Sequence, residues 1–360
     1  SALGTGASLL ATSAFSIPAL YACAKANEEK LGIALVGLGN YSTNQLAPAL
    51  QETEFCKLAG IVTGSPEKVP VWQKKYDIPD GNVYNYDNFD TLADNPDIDV
   101  VYVVLPNAMH AEYTIRAAHA GKHVICEKPM AISVKECKEM IAACEANNRK
   151  LQIGYRCQYE PHNRKMMELG EEKPFGPITM INTNNAFYAR EEWDNWRFHQ
   201  KLSGGGPLMD MGIYSVQGVR YTLGEEPVSV TAQASKIRPE KFKDVEETLL
   251  WQMHFDSGVV ANCMTSYSAR AGNIEVFCKD GNFGLEPAFG YGPLKGHIKG
   301  EPMGLPHTNH QAVQMDAFAR NILDDTEVIA SGEEGLQDMR IIEAIYEAMH
   351  TGEQVAVAKS

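Results

Sequence analysis

The sequence predicts a chain of two domains, an α/β domain with a doubly wound parallel sheet followed by an α+β domain with an open, mainly antiparallel sheet. Between residues 31 and 155, short apolar strands alternate with helical segments, which is typical of a parallel sheet covered on both faces. From residue 156 to residue 360 the pattern changes to β-rich runs that few helices interrupt. A length of 360 residues is enough for two hydrophobic cores.

The first domain contains five apolar strands with helical segments between them. Strands are predicted over residues 31–36, 56–64, 99–106, 122–129 and 150–156. Helices are predicted over residues 41–51, 65–78, 108–121 and 133–148. Ser65 and Pro66 suit the N-cap and first turn of the second helix, and Gly121 suits the end of the third.

A glycine turn after the first strand is the main sign of a nucleotide site. Gly37 permits a tight turn, and Gly39 lets a pyrophosphate approach the backbone at a helix N-terminus. Ser42 stands where the dinucleotide-binding pattern has its third glycine, and any βα turn can contain glycine. The preceding strand, the following helix and the repeated βα units together predict a Rossmann domain over residues 31–155.

The end of the second strand indicates which dinucleotide binds. An NAD-binding unit usually has an acidic residue there that binds the ribose hydroxyls. This chain has none at that place, whereas Ser65 and Lys68 follow closely and can hold a 2′-phosphate. The alternative is a capped helix with a solvated lysine. The sequence favours NADP(H) over NAD.

Polar residues end the third and fourth strands. Ligands of open α/β sheets bind beyond the carboxyl ends of the strands, so residues 105–107 and 127–129 should converge beside the nicotinamide. Pro129 fixes φ and removes a donor, as a rigid kink leaving the sheet requires. A surface ion pair of Glu127 and Lys128 is the alternative reading of this strand end.

The second domain, residues 156–360, is predicted to form the substrate and oligomer contacts. Strands are expected over residues 176–188, 225–237, 247–258, 259–269 and 273–287, with a hairpin turn at residues 280–282. Helices with core-facing spacing are expected over residues 310–325 and 335–352, and we expect them to pack back on the first domain.

A glycine-rich segment marks a second part of the site. Residues 204–207 open a predicted helix, and Asp210 and Tyr214 lie one turn apart on it. Asp210 alone can be a charge that complements the helix dipole, and Tyr214 alone can be a core aromatic. Together, after glycines that allow close approach to a ligand, they predict a functional site.

Composition limits the partners and the chemistry. A net charge of −14 and the lack of a Lys/Arg-rich run argue against nucleic acid and against anionic membrane surfaces. Eight cysteines contain no CxxC pair, so we expect reduced thiols and no metal site.

The first 30 residues differ from the rest of the chain. They are rich in Ala, Ser and Leu, and they carry no charge before Lys25. This is typical of an export signal, here truncated, so a periplasmic protein is expected. An ordered N-terminal arm on a cytoplasmic protein is the alternative. Gly, Ser and Pro interrupt the apolar part too often for a membrane span.

Five long motifs carry a family resemblance. They occupy residues 36–50, 103–131, 151–164, 204–227 and 332–348. The chain resembles the glucose-fructose oxidoreductase/inositol dehydrogenase/MocA family over residues 31–356, and its glucose-fructose oxidoreductase branch most of all. The resemblance implies a Rossmann domain, a C-terminal sheet that forms oligomer contacts, a homo-oligomer such as a dimer or tetramer, a bound NADP and a sugar substrate. Segments 185–200 and 287–308 depart from the family pattern, so the resemblance does not specify the sugar.

The resemblance also implies roles for residues. Lys128 matches the lysine of the family's E-K-P motif, Tyr214 matches a tyrosine that replaces a histidine of other members, and Asp210 precedes it by four. These three are the predicted catalytic residues. The predicted cofactor-lining residues, Lys128 among them, are Gly37, Leu38, Gly39, Asn40, Tyr41, Gly64, Ser65, Lys68, Tyr86, Leu105, Pro106, Asn107, His110, Glu127, Arg156, Trp196 and Arg197.

The expected reaction is hydride transfer between a sugar hydroxyl or carbonyl and nicotinamide. A phenol with pKa near 10 is a poor base, so Lys128 is expected to lower the pKa of Tyr214 and make it the general acid/base. Asp210 is expected to orient the sugar or to help in proton transfer, and Glu127 to fix Lys128. Two alternatives remain: glycoside hydrolysis through a transient oxidation by NAD, and a non-catalytic NADPH-binding protein.

Overall fold

The computed structural model describes residues 30–358 and contains two sheets. The first has six parallel strands. They are β1 (Leu31–Val36), β2 (Cys56–Val62), β3 (Val83–Tyr84), β4 (Val100–Val103), β5 (His123–Cys126) and β6 (Leu151–Ile153). Their spatial order is β3-β2-β1-β4-β5-β6. This is the doubly wound order, in which the sequence of strands across the sheet reverses between β1 and β4. The carboxyl ends of β1, β4 and β5 therefore meet at one edge.

Helices cover both faces of this sheet. They are α1 (Ala47–Ala49), α2 (Val69–Tyr76), α3 (His110–His119) and α4 (Val134–Ala146). A wider π-helical turn, Ser42–Leu46, precedes α1, and 3₁₀ turns Pro66–Lys68 and Asn107–Met109 precede α2 and α3. Further 3₁₀ turns lie at Asp80–Asn82 and Phe89–Asp94.

The second sheet has nine strands. In chain order they are β7 (Ile178–Tyr188), β8 (Pro227–Ser235), β9 (Thr248–Phe255), β10 (Val260–Ser266), β11 (Ser268–Cys278), β12 (Gly281–Leu285), β13 (Gly296–Ile298), β14 (Glu301–Pro302) and β15 (Val355–Ala356). Their order is β14-β13-β12-β11-β7-β10-β9-β8-β15, and every neighbouring pair is antiparallel except β7 and β10. This mixed, mainly antiparallel sheet and the parallel first sheet confirm the predicted fold class.

Five further helices follow β6 in the chain. They are α5 (Pro161–Glu172), α6 (Gln200–Ser203), α7 (Ile213–Leu223), α8 (His310–Leu323) and α9 (Gly332–Thr351). 3₁₀ turns Arg156–Tyr159 and Trp196–Phe198 precede α5 and α6, and a π-helical turn, Leu208–Gly212, precedes α7.

The last two helices pack back on the first domain, and α9 also contacts the second sheet. Met315 and Phe318 of α8 share a buried core with Leu35 of β1 and Tyr102 of β4. Helix α9 packs against α4 on one side and β8 on the other. Helix α9 therefore joins the two sheets, whereas α8 packs on the first.

The local predictions differ from the structure in several places. Ser65 stands at the N-cap position but its side chain makes no capping hydrogen bond. The hairpin turn lies at residues 279–280, whereas it was predicted at residues 280–282, because Gly281 already pairs with Cys278. Helix α5 and strands β3, β13, β14 and β15 were not predicted, since α5 is largely polar and these strands have three residues or fewer.

Several sequence predictions concern the chain's N-terminus, its cysteines and membrane or metal binding. Residues 1–29, including the predicted export signal, lie outside the described part of the chain. Seven of the eight cysteines fall inside it, and all seven are free thiols. Across residues 30–358 no helix is long and apolar enough to cross a bilayer. The same residues contain no cluster of His, Cys, Asp and Glu side chains suited to a metal ion.

Candidate active site

The glycine turn is tight at its first glycine and open at its second. Gly37 has φ of +93°, and a Cβ there would lie 2.5 Å from the carbonyl oxygen of Val104. A Cβ on Gly39 would meet no described atom within 4 Å. The buried hydroxyl of Ser42 donates to the Gly37 carbonyl at 2.6 Å. The serine at the third glycine position therefore stabilises the turn while the space beside Gly39 stays open.

The predicted 2′-phosphate residues lie beside this turn. The Lys68 ammonium donates to the backbone carbonyl of Leu38 at 2.9 Å. The ring of Tyr86 covers Gly64 so closely that a Cβ on that glycine would lie 2.8 Å from the ring. Ser65, which follows Gly64 in the sequence, is half-buried. The structure thus brings the end of β2 and the glycine turn into one group.

The residues that follow β4 mostly brace the backbone. Both ring nitrogens of His110 lie 2.8 Å from carbonyl oxygens, those of Pro129 and Leu105. Burial lowers the pKa of His110, and the fully buried ring faces backbone on both sides. Both nitrogens are therefore engaged with the backbone, and the role of His110 at the cofactor stays a prediction. The side-chain amide of Asn107 donates to the Ser203 carbonyl at 2.8 Å and so ties the two domains together.

Glu127 lies behind the site and holds the backbone of the next residue. Its Oε1 accepts a hydrogen bond from the Tyr102 hydroxyl at 2.7 Å, and Gln314 of α8 donates to the same hydroxyl at 3.1 Å. Its Oε2 accepts the Lys128 N–H at 3.2 Å. Burial raises the pKa of Glu127 although these donors favour the carboxylate. The carboxyl group therefore positions Lys128, as the sequence suggested, from the protein interior.

Lys128 meets the glycine-rich segment of the second domain. Its ammonium donates to the backbone carbonyl of Asp210 at 2.5 Å and lies 3.5 Å from the Asp210 carboxylate. The same ammonium lies over the ring of Tyr214, 4.8 Å from its centroid. The three predicted catalytic residues, which come from two domains and are up to 86 positions apart in sequence, therefore form one cluster.

Asp210 is a buried carboxylate between two cations. Arg197 Nε lies 3.2 Å from its Oδ1, the oxygen that Lys128 also approaches. The Tyr267 hydroxyl donates to Oδ2 at 3.4 Å. Burial would raise the pKa of Asp210, but Arg197 and Lys128 outweigh it and the pKa is lowered. Asp210 is therefore ionised at neutral pH and offers its oxygens as acceptors.

Tyr214 has the opposite pKa shift to the predicted one. Burial raises its pKa, and the Arg156 guanidinium, 4.9 Å from the ring centroid, opposes this only in part. Phe289 stacks on the ring at 6.0 Å and adds to its burial. The expectation that Lys128 lowers the pKa of Tyr214 is therefore wrong for this structure, and the phenol keeps its proton at neutral pH.

The glycine triplet also has a different role from the predicted one. A Cβ on Gly204, Gly205 or Gly206 would lie 2.6, 1.9 or 2.4 Å from a neighbouring protein atom. Those neighbours are side chains or backbone of the same chain, so the glycines allow close packing within the protein instead of close approach to a ligand. In that order they belong to Ile132, Tyr346 and Glu246.

Trp196 and Arg197 reach the cluster from the 3₁₀ turn before α6. Asn195 caps this turn by accepting the Arg197 N–H at 3.1 Å. The Arg197 guanidinium lies over the Trp196 ring at 4.4 Å while its Nε faces Asp210. The turn before α6 therefore brings Arg197 against the Asp210 carboxylate and places Trp196 beside that guanidinium.

Tyr291 is a site residue that the sequence did not reveal. Its ring stacks on Tyr41 of the glycine turn at 5.8 Å, and Arg156 lies over it at 4.8 Å. Arg156 also donates to the carbonyls of Phe289 and Gly290, at 2.5 and 2.9 Å. The Arg156 guanidinium therefore connects the loop after β12 to the ring of Tyr214. No local sequence pattern predicts such a contact for an aromatic residue in a loop.

Known proteins share this architecture and sequence. Residues 31–155 match the model of the oxidoreductase family with an NAD-binding Rossmann fold, residues 163–284 match the GFO/IDH/MocA C-terminal domain, and residues 297–357 match the C-terminal alpha/beta domain of the same family. D-xylose 1-dehydrogenase [NADP(+)] of Haloarcula marismortui is 31% identical over 336 residues, 91% of this chain and 93% of that protein. The chain belongs to the Gfo/Idh/MocA oxidoreductase family.

Two further members of the Gfo/Idh/MocA family are similar over most of their length. D-xylose 1-dehydrogenase (NADP(+)) 2 of Haloferax volcanii is 27% identical over 331 residues, 89% of this chain and 98% of that protein. The crystal structure of aldose-aldose oxidoreductase from Caulobacter crescentus, complexed with glycerol, superposes with a TM-score of 0.87. It is 40% identical, and the match covers 91% of this chain and 99% of that one.

The Rossmann domain of this Gfo/Idh/MocA chain fits a dinucleotide. The open space beside Gly39 follows a buried strand and precedes a helical turn, which suits a pyrophosphate. Leu38 and Asn40 flank it, and Asn40 Oδ1 accepts a hydrogen bond from Asn44 at 2.6 Å. Leu105 packs at Gly37, and Pro106 follows it in the segment between β4 and the next 3₁₀ turn. These residues would hold the cofactor, and a bound nicotinamide supplies a hydride acceptor or donor.

Proposed function

We propose that this oxidoreductase uses NADP(H) to interconvert a hydroxyl and a carbonyl group of an aldose or ketose. The observation that carries the proposal is the cluster of Lys128, Asp210 and Tyr214, assembled from two domains at the carboxyl edge of a dinucleotide-binding sheet. The names of three relatives support it. Two are D-xylose 1-dehydrogenases named as NADP(+)-dependent, and the third is an aldose-aldose oxidoreductase.

Tyr214 is the proton carrier in this proposal. Because burial raises the pKa of Tyr214, its phenol is protonated and can give a proton to the oxygen of a sugar carbonyl that accepts a hydride. The phenolate left behind is stabilised by Arg156 and by Lys128, both within 5 Å of the ring centroid. Oxidation of a hydroxyl follows the reverse path, in which the phenolate form of Tyr214 takes the hydroxyl proton as the hydride leaves the sugar carbon.

Lys128 and Asp210 orient the sugar. The ammonium of Lys128 is a donor for the reacting oxygen, and the ionised carboxylate of Asp210 accepts hydrogen bonds from neighbouring sugar hydroxyls. Arg197 keeps Asp210 ionised, so the carboxylate remains an acceptor throughout the reaction. A planar Trp196 ring beside it offers an apolar surface to the sugar C–H groups.

The test is an absorbance assay with the purified protein. The protein is denatured to identify any released nucleotide, and the native protein is then mixed with NADP⁺ or NAD⁺ and a panel of aldoses and ketoses. We expect sugar-dependent formation of NADPH, or net transfer between two sugars when the nucleotide stays bound. Release of aglycone from an aryl glycoside without net redox change would establish the hydrolytic alternative, and NADPH binding without any sugar-dependent change would establish the non-catalytic one.

The preference for NADP(H) is expected to depend on Lys68. Replacing Lys68 by alanine removes a charge-assisted hydrogen bond worth about 1.5–3 kcal/mol, so the Kd for NADPH should rise roughly 10- to 100-fold more than the Kd for NADH. Loss of the contact to Leu38 affects both nucleotides, and the ratio of the two dissociation constants removes this common effect. Lys74→Ala, on the exposed side of α2, is the matched control. An unchanged ratio in Lys68→Ala would contradict the NADP(H) assignment.

Export to the periplasm and assembly into a dimer or tetramer are further parts of the proposal. They rest on the resemblance of the motifs to exported, oligomeric members of the family and on the Ala- and Ser-rich composition of residues 1–30. The second sheet exposes Leu250 on β9, paired with Met264 of β10 and Gln233 of β8, which is a surface that a second copy can cover.

A further inference from the structure

Glu246 holds the start of the segment that carries the catalytic cluster. It lies two residues before the start of β9, and its side chain is buried. Its Oε2 accepts the backbone N–H of Gly206 at 2.9 Å, and its Oε1 accepts that of Leu208 at 3.1 Å. The Tyr346 hydroxyl of α9 donates to the same Oε1 at 2.9 Å. Leu208 opens the π-helical turn, and the first N–H groups of a helix have no partner within it, so the carboxylate satisfies this donor together with the Gly206 N–H just before the turn.

The packing around these hydrogen bonds leaves little freedom. A Cβ on Gly206 would lie 2.4 Å from the Glu246 carbonyl oxygen, and one on Gly205 would lie 1.9 Å from the Tyr346 hydroxyl. The backbone therefore lies directly against both groups. A side chain at either glycine would displace the segment that these two residues hold.

The held segment leads directly into the cluster. Asp210 follows Leu208 by two residues, within the π-helical turn Leu208–Gly212. Its backbone carbonyl accepts the Lys128 ammonium and its carboxylate meets Arg197. A shift of the turn would move the carbonyl, the carboxylate and, one turn later, Tyr214 relative to Lys128. Wider π-helical turns of this kind occur often at functional sites.

We propose that Glu246 is a positioning residue for the sugar reaction, which sets the place of Asp210 and Tyr214 relative to Lys128 through the backbone of Gly206 and Leu208. This inference rests on the proposed function of the cluster. A carboxylate suits the task because both its oxygens accept hydrogen bonds and neither donates. A glutamine has the same shape but turns an N–H₂ donor toward one of the donors that Glu246 satisfies, so one hydrogen bond is lost.

The test compares Glu246→Gln with Glu247→Gln. Glu247 is also buried, and it binds the backbone N–H groups of Ile237 and Arg238 at 2.6 and 2.8 Å, away from the catalytic segment. Tyr346→Phe, which removes one hydrogen bond to Glu246, is a second and milder variant. For each full-length protein, kcat and KM for a sugar substrate, the Kd for NADPH, the Tm and the rate of amine labelling of Lys128 by mass spectrometry are measured.

We expect kcat of Glu246→Gln to fall by about 10- to 100-fold, because a misplacement of about 1 Å can have this effect. The Kd for NADPH should change less than twofold, and labelling of Lys128 should become several-fold faster. Tyr346→Phe should change both quantities in the same direction by less, and Glu247→Gln should lower the Tm while leaving kcat and labelling unchanged.

The proposal is overturned if Glu246→Gln keeps the wild-type kcat and labelling rate, or if all three variants lose kcat in proportion to their Tm. The labelling rate needs no turnover, so it tests the position of Lys128 even if the wild-type protein oxidises none of the sugars. If the wild-type protein oxidises no sugar, the proposed function fails. Faster labelling of Lys128 in Glu246→Gln, and in neither Tyr346→Phe to the same extent nor Glu247→Gln, would still support the positioning of the cluster by Glu246.

Discussion

Replacing Tyr214 by phenylalanine is expected to lower kcat by about 10²- to 10⁴-fold, the usual contribution of a positioned general acid or base. The phenyl ring retains the contacts with Arg156, Lys128 and Phe289, so the fold and the binding of NADPH should be preserved. Only the hydroxyl is lost, and with it the proton that burial keeps on the oxygen at neutral pH. Steady-state kinetics with a sugar, together with a nucleotide titration, measure both effects.

The matched control for this change is Tyr221→Phe in the same helix, α7. The Tyr221 hydroxyl is buried without a hydrogen-bond partner in residues 30–358, so its loss should leave kcat unchanged. The raised pKa of Tyr214 adds a pH dependence, because the acid form is lost only as pH rises through that pKa. Reduction of a sugar carbonyl should therefore be constant across neutral pH and decline only in the alkaline range. Wild-type turnover in Tyr214→Phe would show that another group moves the proton.

Replacing Lys128 by methionine should lower kcat/KM by about 10²- to 10³-fold, as removal of one preorganised donor usually does. Methionine keeps much of the length of the side chain but removes the ammonium that binds the Asp210 carbonyl and carboxylate. Arg197 then remains as the single cation on a buried carboxylate, and the free energy of unfolding should decrease by about 3 kcal/mol. Kinetics and denaturant unfolding measure the two losses separately.

A second lysine near the same strand provides the control for this prediction. Lys122, immediately before β5, is also buried, and its ammonium donates to the Asn95 carbonyl at 2.8 Å. Lys122→Met should therefore decrease stability without affecting kcat/KM. Lys128→Arg keeps the charge but changes its geometry, so partial activity is expected. If Lys128→Met and Lys122→Met lose activity equally, the role assigned to Lys128 reduces to stability.

The sequence predicted the parts of the site that follow from local pattern. Apolar strands, the glycine turn and the rule that ligands bind at the carboxyl edge placed Gly37 and Lys128 correctly relative to the sheet. The pairing of Lys128 with Asp210 and Tyr214 came from the family motif, and the coordinates bring the three together.

The parts that were missed depend on contacts between distant segments. The direction of the pKa shift of Tyr214 is set by burial, which Phe289 and Arg156 create from other elements. The glycine triplet was read as an approach for a ligand because Tyr346, about 140 positions away, cannot be placed beside Gly205 from sequence. The local sequence pattern does not show which distant side chain will fill the space beside a glycine.

The division of the cluster between two domains has a consequence for substrate entry. Lys128 belongs to the nucleotide domain, whereas Asp210 and Tyr214 belong to the sheet domain, and Asn107 is hydrogen-bonded across the same boundary to Ser203. A hinge motion wide enough to admit or release a sugar would separate the ammonium from the phenol. The opened form would then lack the assembled cluster, and the proposed proton transfer would be confined to the closed arrangement that these contacts hold.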